Sequence, residues 1–177
     1  SSSIHARPRL PGTRTFTYND ALQLAAETNV LAEITRSYDS LGRNTGFSLV
    51  GNPYQVAYGF DTFGRFSSVS SSVGSATSVV QYAFLADSDL ISSLTSDLGP
   101  LTSVSSRSYE DHRNLITQVK NQAGTNTVSQ FDYINDGVGR RTVLKQSGST
   151  FESLDAFWRY GYNTRSEVMS GQRYFGT

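Results

Sequence analysis

Along most of the chain, apolar and polar residues alternate with the two-residue period of a strand whose two faces meet different surroundings. In Tyr54-Gln55-Val56-Ala57-Tyr58-Gly59-Phe60, the residues Tyr54, Val56, Tyr58 and Phe60 fall on one face and Gln55, Ala57 and Gly59 on the other. Trp158, Tyr160 and Tyr162 share a face in the same way, with Arg159 opposite, and form the densest aromatic stripe in the chain. The Ser-rich run from Phe66 to Ser78 alternates with Val69 and Val73 and leads into Val79-Val80-Gln81-Tyr82, which predicts hairpin strands with a solvated face. Turn residues interrupt these runs at Gly51-Asn52-Pro53, at Leu98-Gly99-Pro100, over 121–126 and over 145–150. Ala25-Ala26-Glu27-Thr28 also has helical propensity, with Asp20 as its N-cap.

A repeat decides that segment in favour of a strand. Tyr38-Asp39-Ser40-Leu41-Gly42-Arg43 returns as Phe60-Asp61-Thr62-Phe63-Gly64-Arg65, and the aromatics Tyr18, Tyr38, Phe60, Phe84, Tyr109, Tyr133 and Tyr162 open seven units. Glycine allows positive φ at the turn, and the aspartate side chain accepts a backbone N–H there. The arginine is suited to a neighbouring unit's acid or ring, so Arg43, Arg65 and Arg140 read as structural. The fourth unit has Asp87 in place of glycine, and the fifth has Asn114 at that position. The sixth, Tyr133 to Gly139-Arg140, carries one extra residue, which predicts a bulge or a longer loop.

Seven hairpins make 12 to 14 strands over residues 13–177, after an exposed lead-in at 1–12. The fold class expected is all-β: one antiparallel sheet of about seven consecutive hairpin repeats, curled into a barrel, sandwich or partial shell. Closure is the preferred form because it removes sheet edges. Association of copies through those edges is the other route.

Composition narrows the function. With 15 Lys+Arg against 15 Asp+Glu the net charge is zero, which argues against nucleic acid as a partner. There is no cysteine, only His5 and His112 offer imidazoles, and no apolar run is long enough for a membrane-spanning helix. Phosphate-binding loops, Ser-His-Asp signatures and metal-ligand spacings are absent, so no cofactor is expected.

Repeated Tyr-Asp-x-x-Gly-Arg, close in the units at Tyr38 and Phe60 and good at Tyr133, resembles the YD repeat of the Rhs, teneurin and insecticidal toxin-complex proteins. The resemblance spans Tyr18 to Val168. It implies hairpins joined side by side into a strip that shells a cargo, a structural or interaction role with a protein partner, and a secreted or cell-surface setting. The family's self-cleaving C-terminal segment has no counterpart in Gly171-Gln172-Arg173-Tyr174-Phe175-Gly176-Thr177.

Two places invite a carbohydrate-active alternative, either a glycan-binding module or a small polysaccharide hydrolase or lyase. Tyr109-Glu110-Asp111-His112-Arg113 brings acids, an imidazole and a guanidinium together, so Tyr109 or His112 could serve as acid/base with Arg113 holding a carboxylate. The competing reading is a polar hairpin tip, because successive strand residues diverge. Trp158, Tyr160 and Tyr162 could stack on sugar rings or could fill an aromatic core. Asp39, Asp61, Glu110, Asp136, Asp155 and Glu167 are the carboxylates formally available to a hydrolase, and most of them fall at turns.

Overall fold

The computed structural model describes residues 12–97, 99–151 and 156–176. The expected lead-in, apart from Gly12, and Asp155 lie outside the described residues. The strands, in chain order, are β1 (Thr15–Tyr18), β2 (Leu24–Thr28), β3 (Glu33–Tyr38), β4 (Asn44–Leu49), β5 (Tyr54–Phe60), β6 (Phe66–Val73) and β7 (Ala76–Phe84). They continue with β8 (Ile91–Asp97), β9 (Thr102–Glu110), β10 (Arg113–Ala123), β11 (Asn126–Asn135), β12 (Arg141–Ser147), β13 (Ala156–Tyr162) and β14 (Val168–Phe175).

The chain is all-β. Its 14 strands form one sheet in sequence order, and the pairings are antiparallel. Ala25 to Thr28 is strand because β2 is paired on both sides, Ala26 lying opposite Thr17 of β1 and Thr35 of β3. Tertiary pairing outweighs its helical propensity.

Several expectations are corrected. The strand order has two ends, β1 and β14, so the sheet is not closed into the preferred barrel. Each strand is paired with its neighbours in sequence, and β14 is not paired with β1. Asn114 lies within β10, and the turn ahead of it is the two-residue Asp111-His112. Strand covers Asn121 to Ala123, leaving Gly124-Thr125 as the turn, and β12 continues through Ser147 to a short 3-10 turn, Ser149–Phe151. The bulge foreseen in the sixth unit belongs to the motif more generally. The register shifts beside the turn at Tyr18, Tyr38, Phe84, Asn135 and Tyr162, where the strand leaving the turn carries an extra residue.

Two compact units divide the chain, Ser1–Gly59 with Ser70–Thr77, and Phe60–Val69 with Ser78–Thr177. In the first, the row Thr17–Ala26–Thr35–Ser48–Gln55 crosses five strands on one face, with Thr35 and Ser48 hydroxyls 2.8 Å apart. Phe16, Ile34, Leu49, Phe47 and Val56 occupy the other face, where Glu27 meets Arg36 at 3.5 Å and Arg14 at 3.3 Å.

The second unit is sided in the same way. Ala156–Gln146–Phe131–Val119, Trp158–Leu144–Tyr133 and Ser105–Leu94–Tyr82 line one face. Lys145–Asp132–Gln118–Ser108 and Gln130–Lys120–Ser106–Ser93 line the other, tied by a Gln118–Asp132 hydrogen bond of 2.7 Å. The 3-10 turn sets Phe151 edge-on against Phe131, 5.7 Å between centroids. Neither unit encloses a core: among the described residues Ala156 is the buried hydrophobic, and the aromatic faces are only half-buried.

Candidate functional site

The repeated turns are where the chain concentrates its polar chemistry. At the first clear copy, Asp39 Oδ1 accepts the backbone N–H of Leu41 (3.0 Å) and of Arg43 (2.9 Å), while Oδ2 accepts Arg43 Nε (2.7 Å). Backbone bonds from Asp39 N to Arg43 O and from Gly42 N to Asp39 O close the loop, both 3.0 Å. Gly42 takes φ 79°, a conformation that suits a residue without Cβ.

Asp61-Thr62-Phe63-Gly64-Arg65 and Asp136-Gly137-Val138-Gly139-Arg140 repeat this template bond for bond, with both Nε–Oδ2 contacts at 2.7 Å and the glycines at φ 81° and 90°. The sixth unit therefore needs no insertion. Its acid is Asp136, and the place before the acid, filled by Tyr38 and Phe60 elsewhere, holds Asn135, with Tyr133 two residues further back. These bonds hold the Asp39, Asp61 and Asp136 carboxyls below the ordinary aspartate range. At Asp39 and Asp136 the largest influence is the backbone N–H of the arginine. At Asp61 partial burial pulls upward most strongly, and the combined hydrogen bonds of Arg65 and Phe63 outweigh it.

Two further turns use the template without its signature residues. Asn19 Oδ1 accepts Gln23 N (2.9 Å) and Asn19 Nδ2 donates to Gln23 Oε1 (2.8 Å); Asn163 holds Glu167 likewise, at 3.0 and 2.5 Å. Leu22 and Ser166 stand in the glycine place at φ 59° and 64°. Sequence reading missed these side-chain pairs, although an Asn directly after a Tyr, followed four residues later by Gln or Glu, was the available signal.

In four of the turns the last residue also reaches forward. Gln23 Nε2 donates to Gly42 O at 2.8 Å in the first unit. In the second unit Arg65 donates to Ser88 O, Arg113 to Asp136 O at 2.8 Å and Arg140 to Asn163 O at 3.3 Å. Arg65 lies 4.2 Å from the Phe84 ring centroid and Arg140 4.9 Å from that of Tyr162, so the guanidinium stacks on the next hairpin's aromatic while it binds that hairpin's turn. The tyrosines reach backward. Tyr38 donates to Leu24 O (3.0 Å), Tyr109 to Ile91 O (2.9 Å) and Tyr162 to Arg141 O (2.7 Å).

This wiring accounts for the candidate acid/base group. Glu110 and Arg113 form a shortened version of the template, with Nε–Oε2 at 2.6 Å, and Asn135 Nδ2 donates to the other carboxylate oxygen at 3.1 Å. Tyr109 is taken by Ile91, and Asp111 and His112 stand exposed at the tip. The five residues are adjacent in sequence, yet their polar groups run along the hairpin edge instead of converging. Asp111→Ala and His112→Ala should each change stability by less than about 0.5 kcal/mol. Arg113→Ala should cost about 1 to 2 kcal/mol through its lost charge-assisted bonds. Urea midpoints of the three variants check this, and a large loss at His112 would show a contact at the tip beyond those described.

Of the aromatic stripe, Trp158 is half-buried between Leu144 and Arg173, and Tyr160 lies across from Gly171. Tyr162, past the bulge, belongs to the turn network through Arg140 and Arg141. A second ring pair, Phe157 stacked on Tyr174 at 5.0 Å and 12°, occupies the opposite face. In comparisons with known proteins, no family model matches the chain and no curated protein does.

Proposed function

We propose that the chain is a structural and interaction module, a hairpin sheet of the kind the YD-repeat resemblance implies, which presents or shields a protein partner through its aromatic face. The observation that carries this reading is the absence of an enclosed core in either unit, set beside a polar motif committed to holding hairpins together. A sheet with one apolar face requires a covering layer, and Val119, Leu144 and Leu94 offer that layer aliphatic as well as aromatic contacts. A secreted or cell-surface setting belongs to the same proposal and rests on the resemblance.

Adjacent residues on β9 provide a test. Ser105 lies opposite Leu94 on the aromatic face and Ser106 opposite Ser93 on the polar face, and the chain has no native cysteine. Ser105→Cys and Ser106→Cys variants would be thiol-labelled in the purified chain and in the protein as expressed in its natural host. Protection of position 105 in the host, with position 106 labelled equally in both preparations, is the expected result. Equal labelling of position 105 would sink the reading. Protection of position 105 by an added glycan, or release of reducing ends from a polysaccharide, would move the assignment to the carbohydrate-active alternative.

A further inference from the structure

The aromatic face of the second unit carries three arginines that no acid accompanies among the described residues. Arg107 lies opposite Val119, whose other neighbour is Phe131, and Arg173 lies opposite Trp158. The Arg141 guanidinium rests 3.6 Å from the centroid of the Tyr133 ring. All three arginines are exposed, and none forms an ion pair among the described residues. The unit's described acids are elsewhere: Asp132 and Asp97 belong to the polar face, and the others stand at or beside the turns. In the first unit the corresponding face is different, because Glu27 meets both Arg14 and Arg36.

These charges constrain the chemistry of anything that covers the face. Covering an exposed guanidinium removes its water, which is unfavourable unless the cover brings an anion into hydrogen-bond reach. Arginine fits a carboxylate with two parallel bonds. Arg141 against Tyr133, and Arg173 at 4.9 Å from the Phe175 centroid, are already held by rings, so ordering them on binding costs less. Trp, Tyr and Arg are also the side chains that most often dominate binding energy between proteins.

We infer that the occupant of this face is an acidic segment of a protein partner, with carboxylates set against Arg107, Arg141 and Arg173 and apolar side chains between them. The inference rests on the reading of the face as covered and names what covers it. A nucleic acid or an acidic polysaccharide would also satisfy guanidiniums. Neither makes use of the aliphatic Val119 and Leu144, and three cations on a chain of zero net charge are few for a polyanion.

The Ser105→Cys labelling measurement tests this, since position 105 is two residues from Arg107 on the same face. Arg107→Gln, Arg141→Gln and Arg173→Gln are introduced together in that background, with Lys120→Gln and Lys145→Gln on the polar face as the control. Each broken pair should weaken the association about thirtyfold or more. The arginine variant should therefore label in the host as fast as the purified chain does, while the lysine control stays protected. Circular dichroism of the purified variants checks the fold. Should the triple variant not fold, Arg107→Gln alone, at a side chain with no ring or acid contact among the described residues, should still raise labelling. Full protection in a folded arginine variant overturns the inference and leaves the covered-face reading standing. Equal labelling in host and purified chain with the arginines intact overturns both. Loss of protection in the lysine control, or on treating the host preparation with nuclease or polysaccharide lyase, overturns the acidic-protein assignment.

Discussion

Gly46→Ala is expected to be the most damaging small substitution in the chain, at about 2 to 5 kcal/mol. Gly46 sits in β4 opposite Ala57 of β5, buried, at φ 145°. A Cβ there would meet Val56 O at 2.1 Å and Ala57 Cα at 3.0 Å, and both are backbone atoms of the paired strand. No rotamer change relieves such a contact. β5 must move or the pairing must open, and the conformational penalty of the backbone adds to either. Gly51 provides the internal control: it has φ 73° but no atom within 4 Å of the place a Cβ would take, so Gly51→Ala should cost only about 1 to 2 kcal/mol. Urea midpoints compare the two, and amide exchange should show the Gly46 loss centred on β4 and β5. Equal costs at the two positions would mean that β4 and β5 do not approach as described.

Gly46 also marks the limit of what could be read beforehand. It falls outside the repeated motif, and its role depends on a strand that begins at Tyr54, so nothing local identifies it. The strands themselves were legible because alternation in segments such as Tyr54 to Phe60 encodes which side chains share a face, and because Asp, Gly and Arg at fixed spacing encode a turn within five residues. The turns at 19–23 and 163–167 were harder. Asn with Gln, or Asn with Glu, satisfies the same backbone donors through different atoms, and leucine or serine takes the left-handed place that glycine advertises. His112 misled for a related reason: the Glu110–Arg113 pair closes a shorter loop, so the expected glycine position at Asn114 is already strand. The stitches between hairpins join residues 14 to 23 apart and exist only in one register. The general liability of edges, from which closure is expected, requires that edges be managed without specifying the means.

The natural variants of the turn make the acid and its fifth-place partner separable by experiment. Asp39, Asp61 and Asp136 titrate below their unfolded values, so the stability they contribute is present above the unfolded aspartate pKa of about 3.9 and is lost as pH falls through the lower folded values. The urea midpoint should therefore decline below about pH 4, and a chain carrying Asn at all three positions should show a flatter acid limb. Asparagine alone is an incomplete replacement. It keeps the Oδ1 acceptor for the two backbone N–H groups but presents Nδ2 to an arginine that also donates. Asn19 avoids that conflict because its partner is Gln23, whose Oε1 accepts from Asn19 while Nε2 donates forward to Gly42 O. Copying that pair into the sixth turn as Asp136→Asn with Arg140→Gln should recover about half or more of the midpoint lost by Asp136→Asn alone, a coupling expected of groups in direct contact. Recovery stays incomplete because a glutamine side chain cannot stack on Tyr162 as the Arg140 guanidinium does. Strictly additive losses in the double variant would mean that acid and arginine act independently, and the turn template would then lose its claim to be one cooperative unit.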